Sequence, residues 1–170
     1  MNSRKKIKKI FELNSSNIGF WTGNPKEETL EKYLEKLNLD NREEFYTYLN
    51  DDCRWVMAGN NYDHPADKPM FDPLGGQEKK SHGQDGYFAD CKSIKEVEQY
   101  PWPDPDYIDF TEDIEQIEKF SDKAVFTGLW SQFFHLVCDF FGMENYFIKM
   151  HTDPEIVKAV TDHIVQFFVE

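Results

Sequence analysis

The sequence predicts an α/β fold built on a parallel sheet, and three observations carry that expectation. Short apolar runs of strand length, Ile18 to Trp21, Trp55 to Met57 and Ala124 to Gly128, alternate with segments whose apolar residues recur at helical spacing. The 170 residues, 39% of them hydrophobic and 16% aromatic, can bury a sizeable core and fit one domain spanning 1–170. Only three or four strands can be found, whereas a closed eight-stranded α/β barrel takes about 250 residues.

In order along the chain, Ser3 caps a first helix running to about Leu13, which Asn14-Ser15-Ser16-Asn17 breaks before the Ile18–Trp21 strand. Its basic residues, Arg4, Lys5, Lys6, Lys8 and Lys9, interleave with Ile7, Ile10 and Phe11, which reads as a solvated helix face or a docking patch. Pro25 opens a helix with Leu30, Tyr33, Leu34 and Leu37 on one face, and a shorter helix spans Arg42 to Leu49. Cys53 to Ala58 is a strand. Residues 59–92, with five glycines and three prolines, predict a lid or an excursion with a hairpin near Tyr87 and Phe88.

Ser93 caps a helix bearing Ile94, Val97 and Tyr100, and three prolines between Pro101 and Pro105 end it. Thr111 opens a helix with Ile114, Ile117 and Phe120 on one side, followed by the Ala124–Gly128 strand. Helices from Gln132 to Phe141, from Glu144 to His151 and from Asp153-Pro154 onward complete the chain. The last keeps Ile156, Val160, Ile164 and Phe167 in register and meets no stop signal before Glu170, the pattern of a truncated product.

Nineteen basic against thirty-two acidic residues give a net charge of −13, a field that repels phosphate backbones and anionic headgroups, so no nucleic acid or membrane partner is expected. No signal-peptide pattern opens the chain, and no run approaches the roughly 20 apolar residues of a membrane span. A cytoplasmic protein is expected. Cys53, Cys91 and Cys138 are odd in number and widely spaced, as reduced thiols would be.

Several segments, taken together, resemble the uroporphyrinogen decarboxylase superfamily, which includes corrinoid-dependent methyltransferases. They are Asn2-Ser3-Arg4, Phe20-Trp21-Thr22-Gly23-Asn24-Pro25, Asp51-Asp52-Cys53-Arg54-Trp55-Val56, Tyr100-Pro101-Trp102-Pro103-Asp104-Pro105-Asp106, Gly128-Leu129-Trp130 and Gly142-Met143-Glu144-Asn145. The proline-rich segment is the most specific and Asn-Ser-Arg the least. The resemblance implies the N-terminal portion of a (β/α)8 barrel with extra N-terminal helices. The decarboxylase signature of the family, an Arg-Gln-Ala-Gly-Arg segment, is matched here by Thr22-Gly23-Asn24-Pro25, which has no arginine. That departure moves weight from uroporphyrinogen III decarboxylation to coproporphyrinogen, in tetrapyrrole biosynthesis, toward the methyltransferase-like branch. Members of that branch exchange a methyl group with a corrinoid protein, often using zinc to make a thiolate. The zinc ligands of the family, a His-x-Cys pair and a further Cys, have no match here, so catalysis would depend on residues beyond this chain. A different class of reading is a non-catalytic half-barrel that self-associates as a homodimer or pairs with a second half-barrel chain, covering an open sheet edge.

The candidate substrate-binding residues are Trp21, Asn24, Asp52, Arg54, Trp130 and Ser131. Trp21 and Asn24 follow the first predicted strand, where barrel sites form. They face a ligand, or else Trp21 is core and Asn24 caps the next helix. The resemblance gives Asp52 a substrate-orienting role, and a solvated Asp51-Asp52 turn with a surface Arg54 is the plainer alternative. Trp130 and Ser131 end the Ala124–Gly128 strand. Asp63, His64, Asp67, Asp72, His82 and Asp85 include metal-ligating residue types without ligand spacing, and His135 and Cys138 lie three apart on a helix.

Overall fold

The computed structural model describes residues 1–14, 18–81, 83–131 and 133–170. The chain is mixed helix and strand and divides into two compact units, Met1–Gly59 with Phe110–Gly128, and Asn60–Asp109 with Leu129–Glu170. The described residues contain two strands, β1 (Cys53–Ala58) and β2 (Ala124–Leu129), which are neighbours in one sheet. No helix among them is long and apolar enough to cross a membrane.

The first unit opens with α1 (Ser3–Phe11), whose cap is Asn2: its side chain accepts from the Lys5 amide at 3.0 Å. Ser3 instead sends its hydroxyl to Asp52. Ile7 of α1 packs with Cys53 and Ala124, and the Arg4 amide donates to the Asp122 carbonyl at 3.1 Å, so α1 is laid on one end of the sheet. The Ile18–Trp21 run is extended but is not a ladder strand. Its partners are the two residues just before β1: Phe20 exchanges bonds with the Asp52 amide and carboxylate, and the amide of the following Thr22 donates to Asp51. Most of the expected break at 14–17 lies outside the described residues.

Helices α2 (Glu27–Leu37) and α3 (Arg42–Tyr48) form a hairpin around Leu30, Phe45 and Tyr46. Asn38 at φ 53° ends α2 in the left-handed region, and Asn41 caps α3 by accepting from Glu44 while the Glu44 carboxylate accepts from the Asp40 amide. Pro25 precedes α2 without opening it, since Lys26 occupies the cap. After the second unit's first segment, α5 (Thr111–Lys119) packs against β1. Its buried residue is Asp113, which accepts from the Gly59 amide at 3.0 Å, while Ile114 stays 54% exposed.

The second unit holds α4 (Ile94–Glu98), a 3-10 turn at Pro105–Tyr107, α6 (Phe133–Phe141), α7 (Met143–Thr152) and α8 (Pro154–Val169). Phe88, Val97, Val137, Phe140, Phe141, Val160 and Ile164 form the centre of its core. The 59–92 segment has no hairpin at Tyr87. It is pinned on α6, where the Phe88 amide donates to the Phe140 carbonyl at 2.7 Å and a Cβ at Gly86 would lie 2.0 Å from the Asp139 carbonyl oxygen. Only glycine permits that approach.

Candidate functional site

Alternation along β1 puts Cys53, Trp55 and Met57 on one face and Arg54, Val56 and Ala58 on the other. The two faces carry different chemistry. On the Arg54 face the guanidinium lies over the rings of Tyr46 and Phe120 at 5.0 and 5.7 Å. It grips Glu43 through Nε at 2.9 Å and Nη2 at 2.5 Å, and Nη1 donates to the Cys53 carbonyl at 2.6 Å. At 3% exposure, Arg54 is a tie between β1 and α3 rather than a surface cation.

On the Trp55 face, Ile7 and Ile10 cover the Cys53–Ala124 end, and Phe126 of β2 packs beside them. Beyond that contact the rings of Trp21 and Trp55 stack at 6.3 Å, and those of Trp21 and Phe126 at 5.7 Å. Trp21 remains 50% exposed, so the stack is a wall and not sealed core. Two polar atoms of this wall, Thr22 Oγ1 and Trp55 Nε1, are buried with no hydrogen-bond partner. Leaving such atoms unmatched costs about 1–3 kcal/mol each.

The carboxylates at the foot of β1 are engaged by the fold. Asp52 accepts from the Ser3 hydroxyl at 2.8 Å, Lys6 Nζ at 2.7 Å and the Phe20 amide at 3.0 Å. Burial pushes its pKa up, and the bonds from Lys6, Phe20 and Ser3 outweigh it, holding the carboxyl below its ordinary range. Asp51 accepts from the Thr22 and Cys53 amides at 2.7 and 2.8 Å, with Arg54 Nη1 at 4.0 Å. Lys6 therefore leaves the solvated basic face to meet Asp52, while Arg4, Lys5, Lys8 and Lys9 stay exposed.

Of the sequence-predicted residues, Trp21, Asp52 and Arg54 meet around β1, with Trp21 on the open wall and the other two in the fold's own polar bonds. Asn24 is exposed and accepts from the Tyr46 hydroxyl at 3.4 Å, leaving α2 without a side-chain cap. Trp130, 62% exposed, and Ser131 belong to the second unit.

The metal-type residues do not assemble. No group of three or more His, Cys, Asp or Glu among the described residues is placed to hold an ion, and His82 lies outside them. His135 is exposed while Cys138 is fully buried. Asp72 accepts from the Gly76 amide in a turn, and Asp85 binds Asn145. Burial, then the charges of Asp51 and Asp52, push the Cys53 thiol up to about 11, and burial also raises Cys91 and Cys138. Such thiols stay protonated at neutral pH in the metal-free chain.

Sequence reasoning did not single out Trp55 as a site residue, although β1's alternation puts it opposite Arg54. It also missed a cleft of about 280 Å³ in the second unit, walled by Tyr62, Tyr87, Tyr100 and Trp102. Comparison with family models, curated proteins and solved structures gives no match. On its structure, the chain is a mixed α/β protein with an aromatic-walled sheet face.

Proposed function

We propose that this chain carries the opening βα elements of a uroporphyrinogen decarboxylase-like barrel of the methyltransferase-like branch, and that the Trp21–Trp55–Phe126 wall faces the substrate. The single observation that carries the reading is this stacked aromatic wall, open to solvent at Trp21. Barrel helices lie outside the sheet and the opposite face looks inward. Tyr46 and Phe120 hold Arg54 on the opposite face, while on the Trp55 face α1 covers only the Cys53–Ala124 end and leaves Trp21 half exposed.

The wall is suited to excluding water and orienting a flat, weakly polar group. A substrate with eight carboxylates needs cations, because buried carboxylates without partners are costly. Arg54 is committed to Glu43, Arg42 to Glu27 and Lys6 to Asp52, which favours methyl transfer over porphyrinogen decarboxylation. In this branch zinc supplies a thiolate nucleophile, and the partner is a corrinoid protein. The family's His-x-Cys zinc ligands have no match in this sequence, so the contribution of this chain is binding and orientation.

Parallel calorimetric titrations of the chain with methylcobalamin and with uroporphyrin test the reading. Saturable binding of the corrinoid alone is expected. Binding of uroporphyrin alone would transfer the assignment to the decarboxylase branch, and binding of neither would remove the site.

A further inference from the structure

We infer that the aromatic cleft of the second unit binds a small hydroxylated aromatic carboxylate. The inference stands apart from the family reading, since every residue it uses lies in the second unit. The cleft, about 280 Å³, is at the small end of ligand pockets and admits a single substituted ring.

Its floor is aromatic and its own polar atoms are already spent. The Tyr100 hydroxyl donates to the Asp72 carbonyl at 3.0 Å and accepts from the Asp72 amide at 3.3 Å. Burial pushes that hydroxyl up to about 12, so it stays neutral. Trp102 Nε1 donates to the Val97 carbonyl at 2.9 Å, and one face of its indole is covered by His163, stacked at 4.6 Å. Tyr100 and Trp102 therefore offer ring surface, and Tyr87, 56% exposed, adds a side wall. Edge and face contacts between rings add about 0.5–1.5 kcal/mol beyond area burial.

The lining adds three polar side chains, Lys68, His64 and Asp72. Lys68 is an exposed cation. His64 Nδ1 accepts from the Ala66 amide at 3.0 Å, which puts the proton of the neutral ring on Nε2 as a second donor. Both groups are donors of the kind a carboxylate accepts from. Asp72 binds the Gly76 amide through Oδ1, and its other oxygen suits a hydroxyl donor on the same ring. A dianion would meet Asp72, and an aromatic amine would meet Lys68, so one carboxylate and one hydroxyl fit best.

The test is an NMR titration of the whole chain with 4-hydroxybenzoate, and separately with 4-hydroxybenzylamine, following the Trp102 indole and residues 62–72. Saturable shifts confined to the cleft are expected for the acid, with a Kd of roughly 0.1–1 mM. Lys68→Ala should weaken binding about tenfold while Lys68→Arg restores it, since both retain or remove one charge-assisted bond. Lys68 is exposed, so both variants keep the fold. Absence of saturation, shifts mapping elsewhere, an amine bound as tightly as the acid, or an unchanged Lys68→Ala affinity would each overturn the assignment.

Discussion

The first unit is held by directional polar bonds and the second by apolar volume. Among the described residues, the buried charged side chains, Asp51, Asp52, Arg54 and Asp113, all lie in the first unit, whose apolar clusters gather around Ile7 and around Leu30. The second unit buries eleven residues from Phe88 to Ile164 in one contiguous core, five of them contributed by α8 and α4 alone. The difference teaches where each unit can be altered. Deleting volume should hurt the second, whereas changing charge should hurt the first, because a buried charge that loses its partner is left uncompensated.

The largest effect belongs to the second unit. Phe140→Ala removes a fully buried ring that meets Phe88, Tyr100 and Trp102, and should cost about 3–5 kcal/mol in urea unfolding followed by near-UV circular dichroism. A loss under about 1 kcal/mol would mean that this core is not packed as described.

A smaller, pH-dependent effect sharpens the other side. Asp52→Asn should cost about 1–3 kcal/mol at neutral pH, because the neutral amide cannot replace the acceptor shared by Ser3, Lys6 and Phe20. The folded-state pKa of Asp52 is depressed, so its contribution is present above the unfolded value of about 3.9 and is lost as pH falls through the lower folded value. Acid titration of stability should therefore be steeper below pH of about 4 in the parent than in Asp52→Asn. Parallel acid profiles would remove the latch between α1 and β1.

Much of the element order was legible because it rests on local signals. β1 at Cys53–Ala58 and the Ile156, Val160, Ile164, Phe167 stripe of α8 follow from short-range periodicity and come out as read. The Ile18–Trp21 run looked like a strand, yet its partners are two aspartates some thirty residues away, a pairing no window of sequence reveals. The Tyr87–Phe88 hairpin failed for a similar reason: the backbone there is pinned on α6, not on a neighbouring strand. On α5, Ile117 and Phe120 of the expected face are half-buried, whereas Ile114 is exposed and Asp113 is buried in its place, accepting from the Gly59 amide. The described residues contain two strands, and the barrel remains part of the proposal.

The candidate site was legible to a similar depth. Trp21 was picked out by position, but its stacking on Trp55 and Phe126 depends on two strands meeting 71 residues apart in the chain, from Trp55 to Phe126. Arg54 reads from sequence as either a substrate contact or a surface cation, because its partner, Glu43, sits on a preceding helix.

The central claim, that the Trp21 wall is a ligand surface and not core, is tested most directly by Trp21→Ala, measured for both stability and methylcobalamin affinity. Trp21 is half exposed, so stability should change by less than about 1 kcal/mol while affinity falls about tenfold or more. Unchanged affinity, or a large loss of stability with binding intact, would contradict the account and return Trp21 to the core.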